Sequence, residues 1–184
     1  YKHTPVILGG IAASLRRLAH YDYWSDKVRR SVLLDSGADL ISYGMGERSI
    51  AAIAEALDSG LPVSSLTFIP GTVYKTREIP EMTDPVFLPS WEEVSVDREA
   101  YGKSFRIQYA NTDSITGRVL AEDYGSRGYV VQNPPAAPLT EGEMDDVYEL
   151  PYMRAWHPIY DQAGGIPAFS EIRFSLTSSR GCFG

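Results

Sequence analysis

The stretch PVILGG, residues 5–10, decides the fold of the first part of the chain. Its run of Val6, Ile7 and Leu8 has no polar alternation, which is typical of a strand that is buried on both faces. The glycine pair that follows ends the strand and opens a helix over 11–21. A second strand of the same kind, ADLISYG at 38–44, precedes an amphipathic helix over 47–60.

Working outward from these strands, we expect a second helix over 25–36, with Ser25 or Asp26 as its N-cap. The aromatic residues between the first two helices are expected to anchor the turn; they are Tyr21, Tyr23 and Trp24. Two short strands around a Pro-Gly turn are predicted within 64–76. The resulting order β-α-α-β-α-β favours a Rossmann-like α/β module over 1–80, a parallel sheet with helices on both faces.

The character of the chain changes after residue 80. Residues 81–168 are expected to form a helical and extended connector, with capping boxes at Ser90/Glu93 and Thr140/Glu143. The segment SITGRVLAEDYG is compatible with a helix or a strand, and GYVVQNPP indicates a strand that ends at the prolines. In the last segment, 169–184, the apolar residues alternate with polar ones, which predicts one more strand; they are Ile172, Phe174 and Leu176.

Composition and charge limit the function classes. The apolar fraction of 43% and charged fraction of 22% are ordinary for a soluble protein, and the net charge of −7 argues against broad nucleic-acid binding. Residues 1–30 nevertheless carry six Lys or Arg against two Asp, a local charge of +4. The arginines Arg16, Arg17, Arg29 and Arg30 either grip an anionic group or dock acidic protein surface, or they are simply solvated.

A single cysteine excludes an internal disulfide, and no apolar run is long enough for a membrane span. We therefore expect a cytoplasmic protein. The chain begins at Tyr1 a few residues before a strand, so an upstream segment is also expected.

Both glycine loops are expected at the carboxyl edge of the sheet, where folds of this kind bind ligands. GMGERS starts like a dinucleotide fingerprint but has Ser49 at the third glycine, so a nicotinamide cofactor is not expected. The loops either serve tight strand–helix turns or approach a ligand. No GxSxG or HExxH pattern occurs, and we assign no catalytic residue. The candidate cofactor-binding residues are Gly9, Gly10, Gly44, Gly46 and Glu47.

Three phrases carry a family resemblance: ASLRRLAHYDYWSDKVRRS at 13–31, VVQNPP at 130–135 and the terminal SSRGCFG. They are similar to YgiQ-type radical S-adenosylmethionine (SAM) proteins, and the resemblance extends through the chain. In that family the last phrase continues into a Cys-x3-Cys-x2-Cys run that holds a four-iron, four-sulfur cluster. The resemblance implies that Cys182 is the first cluster ligand. One departure is Ala12, where the family often has an acidic residue.

The resemblance also implies cofactors and partners. The intact protein would use the cluster and SAM, whereas this chain alone is expected to hold neither. Residues 169–184 would be the first strand and cluster loop of a (β/α) barrel. The main partner would be the remainder of the same polypeptide, acting on a small-molecule or unknown substrate. VILGG and GMGE are similar to loops of cobalamin-binding domains. A nucleotide- or cobalamin-binding module and a purely structural interaction domain remain as alternative functions.

Overall fold

The computed structural model describes residues 4–177, and the chain forms two compact units, residues 1–138 and 139–184. The strands of the first unit are β1 (Ile7–Leu8), β2 (His20–Asp22), β3 (Lys27–Arg29), β4 (Leu40–Ser42), β5 (Thr72–Thr76), β6 (Val86–Phe87), β7 (Leu120–Asp123) and β8 (Tyr129–Gln132). Its α-helices are α1 (Gly10–Leu15), α2 (Val32–Asp35), α3 (Glu47–Asp58), α4 (Trp91–Val96) and α5 (Arg98–Ala110). The second unit contains α6 (Glu141–Glu149), a 3-10 helix (Pro158–Ala163) and α7 (Phe169–Ile172).

Six strands form one mixed sheet in the order β1-β4-β5-β8-β7-β6. The β1–β4 and β6–β7 pairs are parallel, and the three central pairings are antiparallel. The α/β class is therefore confirmed, whereas the expectation of a parallel sheet holds for the β1–β4 and β6–β7 pairs and is wrong for the three central pairings.

The direction of β5 explains the difference. A helix that simply crossed over would place β5 parallel to β4, but residues 59–71 form a long connector after α3 that runs back along the sheet. Gly71 fixes the end of this connector beside the end of β4: its carbonyl accepts from Tyr43 N at 2.9 Å, and its own N–H donates to Pro134 O at 2.7 Å. Because β5 starts where β4 stops, it must run in the opposite direction.

Helices cover both faces of the sheet, as the sequence predicts. Neighbouring residues on β4, Leu40 and Ile41, belong to different hydrophobic clusters because successive side chains of a strand point to opposite faces. The cluster of Ile41 includes residues from α1, α2 and α5, and that of Leu40 includes Ile53 from α3. α1 and α3 thus pack on opposite sides of the same sheet.

The predicted helix over 25–36 is wrong in its first half. Residues 20–22 and 27–29 pair as an antiparallel hairpin, the second sheet of the fold, and Asp26 turns the chain with a φ of 51°. The cap is Ser31, whose Oγ accepts from Leu33 N at the start of the shorter helix α2. The helix expected over 11–21 ends at Leu15, because the backbone beyond it is bound by distant partners, such as Val32 N on Arg16 O at 2.8 Å.

The part of the chain after residue 80 completes the sheet. The ambiguous segment is strand β7, the predicted strand before the prolines is β8, and the predicted long helix is divided into α4 and α5 at Asp97, which has extended φ and ψ. Both predicted capping boxes are present. The compact unit therefore extends to residue 138, beyond the composition change near residue 80.

In the second unit, no residue from 139 to 177 is buried. Trp156 contacts two other parts of this unit. Its Nε1 donates to Asp161 Oδ1 at 2.7 Å, and its ring packs edge-on against Phe169 with the ring centroids 5.2 Å apart. Phe169–Ile172 form a helical turn where the alternation predicts a strand. A helical turn bonds its own backbone, whereas a strand needs a neighbour, and none pairs with this segment in the part of the chain described. Residues 178–184 lie outside the described residues.

Candidate functional site

The two predicted glycine loops lie side by side. β1 and β4 are parallel neighbours, with Ile7 opposite Leu40 and Leu8 opposite Ile41, so the loops that follow them leave the same edge of the sheet. Ser14 in α1 joins the loops: its Oγ donates to Gly10 O at 2.9 Å and accepts from Gly44 N at 3.1 Å. The fold thus brings the candidate glycines of both loops together.

The space between these loops is a topological switch point. α1 follows β1 onto one face of the sheet, and α3 follows β4 onto the other. Adjacent parallel strands whose helices diverge in this way leave a crevice at their carboxyl ends, the usual ligand site of open α/β sheets. We call the region between the loop 9–10 and the loop 44–46 the β1/β4 crevice.

Glycine is required at two positions of the crevice. Gly10 and Gly44 have φ values of +80° and +71°, in the left-handed region that other residues avoid. No atom lies within 4 Å of a Cβ added at either residue, so the constraint is backbone conformation rather than space. Gly46 is the N-cap of α3, and Glu47 is the first residue of that helix.

A buried hydroxyl lies beneath the start of α3. Ser42 is 7% exposed, and its Oγ has no hydrogen-bond partner in the described part of the chain. This oxygen is 3.1 Å from the position that a Cβ of Gly46 would occupy. An unsatisfied buried hydroxyl is costly, and its place beside a helix N-terminus is suited to a polar group of a ligand.

One arginine of the basic segment is partly buried. Arg17 lies against the Tyr43 ring, with the guanidinium carbon 5.1 Å from the ring centroid, and its Nε donates to Gln132 Oε1 at 2.7 Å. Burial lowers the pKa of its guanidinium, and Tyr43 raises it. Burial likewise raises the pKa of the Tyr43 phenol, whose OH donates to Asn133 O at 2.6 Å. Sequence reasoning did not separate Arg17 from the other arginines, because the first helix was expected to continue past it with Arg16 and Arg17 outward.

The other residues of the basic segment behave differently. Arg29 forms an ion pair with Asp22 at 3.7 Å, and Arg30 forms one with Asp35 at 2.8 Å. The interpretation of the aromatic residues as anchors is wrong for two of them: Tyr23 is 77% exposed and Trp24 is 90% exposed, at the tip of the β2–β3 hairpin. The hairpin rather than a helix–helix turn explains this exposure.

A buried carboxylate lies away from the crevice, under β7. Glu122 is fully buried, and its Oε2 accepts from Ala19 N at 2.8 Å and from the Tyr124 hydroxyl at 2.5 Å. Its other oxygen, Oε1, has no partner among the described residues. Burial raises the pKa of this carboxyl to about 7, although the two hydrogen bonds act in the opposite direction. The hydrogen bond from Ala19 N connects β7 to the segment that directly precedes β2.

A depression of about 680 Å³ lies away from the β1/β4 crevice, as an open groove along α4 and α5 that contains none of the candidate residues. Its charged lining mixes three carboxylates with two cations; these residues are Glu93, Asp97, Glu99, Lys103 and Arg106. The groove therefore has no clear preference for a ligand charge.

The predicted metal ligand, Cys182, lies outside the described residues. Within 4–177, no group of three or more His, Cys, Asp or Glu side chains is placed to hold a metal ion. The described residues therefore do not by themselves fit an iron–sulfur cluster, which needs several converging thiolates. No helix in the same range is both long enough and apolar enough to span a bilayer.

Comparison with known proteins adds a family context. The family model described as "Radical SAM N-terminal" matches residues 1–175. A UPF0313 protein of Clostridium botulinum (strain 657 / Type Ba4) is 50% identical over 184 residues, which is all of this chain and 29% of that protein. A UPF0313 protein of Clostridium perfringens (strain 13 / Type A) is 48% identical over 185 residues, again all of this chain and 28% of that protein. The chain thus spans less than a third of these relatives, and no solved structure matches it.

Proposed function

The chain belongs to the radical SAM N-terminal family, and we propose that it is the N-terminal accessory region of an enzyme that cleaves S-adenosylmethionine reductively. The observation that carries this proposal is the family match over 1–175, supported by about 50% identity to much longer proteins. The proposed products are methionine and a 5′-deoxyadenosyl radical that takes hydrogen from a substrate.

In this proposal the 184 residues shape the enzyme without performing the chemistry. The cluster would be held by thiolates of the segment that begins at Cys182, with residues 169–184 leading into the barrel. The β1/β4 crevice and the sheet around it would then support or cover the reaction site. The main partner would be the remainder of the same polypeptide, which the length of the relatives supports.

Replacement of Cys182 tests this function. The full-length protein is reconstituted with iron and sulfide without oxygen, and its absorbance near 400 nm and its release of 5′-deoxyadenosine from SAM are measured. Cys182→Ser should lose both signals, whereas Ser179→Ala, three residues away, should keep them. Cluster formation and SAM cleavage that survive in Cys182→Ser would refute the role of this thiolate. An iron–sulfur chromophore in the isolated 184-residue chain would contradict its expected inactivity.

A second candidate function is a small-ligand module, and the switch point at the β1/β4 crevice favours it. The ligand would be a nucleotide or cobalamin, held where the two glycine loops meet. Titration of the full-length protein with hydroxocobalamin and with nucleotides, followed by absorbance and thermal unfolding, tests this function. Gly44→Ala should weaken the binding because alanine is strained at a φ of +71°, whereas Gly102→Ala in α5 should not. Absence of any response to either ligand class would eliminate this candidate.

A further inference from the structure

Arg17 is held in one orientation by neutral groups. Its Nε donates to the amide oxygen of Gln132, its Nη1 donates to Ser14 O at 2.6 Å, and its guanidinium lies over the Tyr43 ring. Gln132 is itself 1% exposed, and its contact with Arg17 is partly buried. Ser14 lies on α1, Gln132 lies at the end of β8 and Tyr43 directly follows β4, so the fold brings these distant partners together around one cation.

The charge of Arg17 has no acidic counterpart in the described part of the chain. Ion pairs in this range join Arg29 to Asp22, Arg30 to Asp35 and Arg118 to Asp84, and Arg17 belongs to none of these. A guanidinium has five N–H donors, and the two bonds to Gln132 and Ser14 leave three of them for another acceptor. Burial of a cation without a counter-ion is unfavourable, and an anion would offset that cost.

The position of Arg17 connects it to the β1/β4 crevice. Ser14, whose carbonyl oxygen accepts from Arg17, is the residue whose hydroxyl joins the two glycine loops. Across the same edge, the unpartnered and buried Ser42 hydroxyl lies under the N-terminus of α3, a helix of 12 residues. The first turn of α3 contains one acidic and one basic residue, Glu47 and Arg48, and Arg17 is a further cation at this edge of the sheet.

We propose that the β1/β4 crevice binds the phosphate group of a small molecule, with Arg17 as its cationic partner and the Ser42 hydroxyl and the N-terminus of α3 as further polar contacts. Phosphate suits this arrangement because it accepts hydrogen bonds from a guanidinium fork and from the free N–H groups at the start of a helix. The inference rests on the second candidate function, the small-ligand module, and names its ligand class. It does not depend on the iron–sulfur chemistry.

Calorimetric titration of the full-length protein at constant ionic strength tests the proposal. The probes are inorganic phosphate, ADP and adenosine, which separate free phosphate from a nucleotide and from a nucleoside without phosphate. Phosphate or ADP should bind, and Arg17→Gln should weaken that binding at least tenfold. The matched control is Arg16→Gln, which removes the same charge from the neighbouring exposed residue and should change the dissociation constant less than twofold.

The outcomes separate the inference from the functions on which it rests. No binding of phosphate or ADP, or equal weakening by both arginine variants, overturns the phosphate site. If hydroxocobalamin or adenosine binds the wild type, but phosphate and ADP either do not bind or bind Arg17→Gln as tightly as the wild type, the small-ligand module stands and this inference falls. If Arg17→Gln does not fold, the test uses Ser42→Ala instead. A dissociation constant for phosphate or ADP at least threefold higher supports the site, and an unchanged dissociation constant overturns it.

Discussion

At the scale of single residues, Glu122 has the least usual environment among the described carboxylates. It is fully buried on β7, with Tyr124 and a backbone N–H on one oxygen and no partner for the other among residues 4–177. Burial disfavours the charged form, so the pKa of the carboxyl rises from 4.5 to about 7. The sequence LAEDY could not reveal this, because a glutamate in a strand is normally on the solvent side.

The raised pKa predicts how stability depends on pH. Below pH 4.5 the carboxyl is protonated in both the folded and the unfolded chain, so it does not change the free energy of unfolding with pH. Between pH 4.5 and 7 only the folded form keeps the proton, so the free energy of unfolding falls as the pH rises, by roughly 3 kcal/mol in total. Glu122→Gln should remove this slope and should be the more stable protein at pH 8.

Urea unfolding of wild type and Glu122→Gln between pH 4.5 and 8 measures the effect. Burial lowers the pKa of His20, which contributes a slope of opposite sign near its own pKa; both proteins contain it, so their difference isolates the carboxyl. Glu55→Gln, at an exposed position of α3, should leave the wild-type slope intact. Parallel pH profiles for wild type and Glu122→Gln would show that the carboxylate is not penalised by burial.

At the scale of elements, the β2–β3 hairpin shows where sequence reasoning fails. Residues 11–36 have helical spacing of apolar side chains, yet Tyr21 pairs with Val28 across an antiparallel turn. Tertiary partners decide this: Tyr21 N donates to the Tyr101 hydroxyl at 3.1 Å, and Ser31 Oγ donates to Arg17 O at 2.6 Å. Contacts between residues so far apart in sequence leave no local pattern. Capping boxes, in contrast, are local, and both were predictable.

The hairpin tip predicts contrasting effects for two tryptophans. Trp24 is 90% exposed, so Trp24→Ala should change the free energy of unfolding by less than about 0.5 kcal/mol. Trp91 packs against the core and stacks on Tyr124 at 6.5 Å, so Trp91→Ala should cost roughly 3 kcal/mol. Urea denaturation followed by circular dichroism compares them. Similar losses in both variants would mean that the tip is packed rather than exposed.

At the scale of the whole molecule, the chain combines a densely packed unit with one that has no buried residue between 139 and 177. Stability against local opening follows burial and hydrogen bonding of the backbone. Amide hydrogen exchange measured by mass spectrometry should therefore be slowest in β4, β5 and β8 and much faster in 139–177. Protection of 139–177 equal to that of β4 would contradict this division.

The same scale shows how much of the site could be predicted. Strand–glycine–helix patterns were sufficient to bring residues 9–10 and 44–46 to one sheet edge, because two parallel neighbouring strands need only a crossover between them. The partial burial of Arg17 was not predictable, since its partner Gln132 lies 115 residues away. The reversal of β5 also has no signal in the strand itself; it depends on the path of the long connector after α3.

The outermost strands of the large sheet, β1 and β6, are each only two residues long. Another polypeptide that pairs with either edge strand can form only a few backbone hydrogen bonds with it. Templated strand addition at these two edges is therefore unfavourable, so at high concentration this sheet should seed fibrils less readily than unfolded chains precipitate.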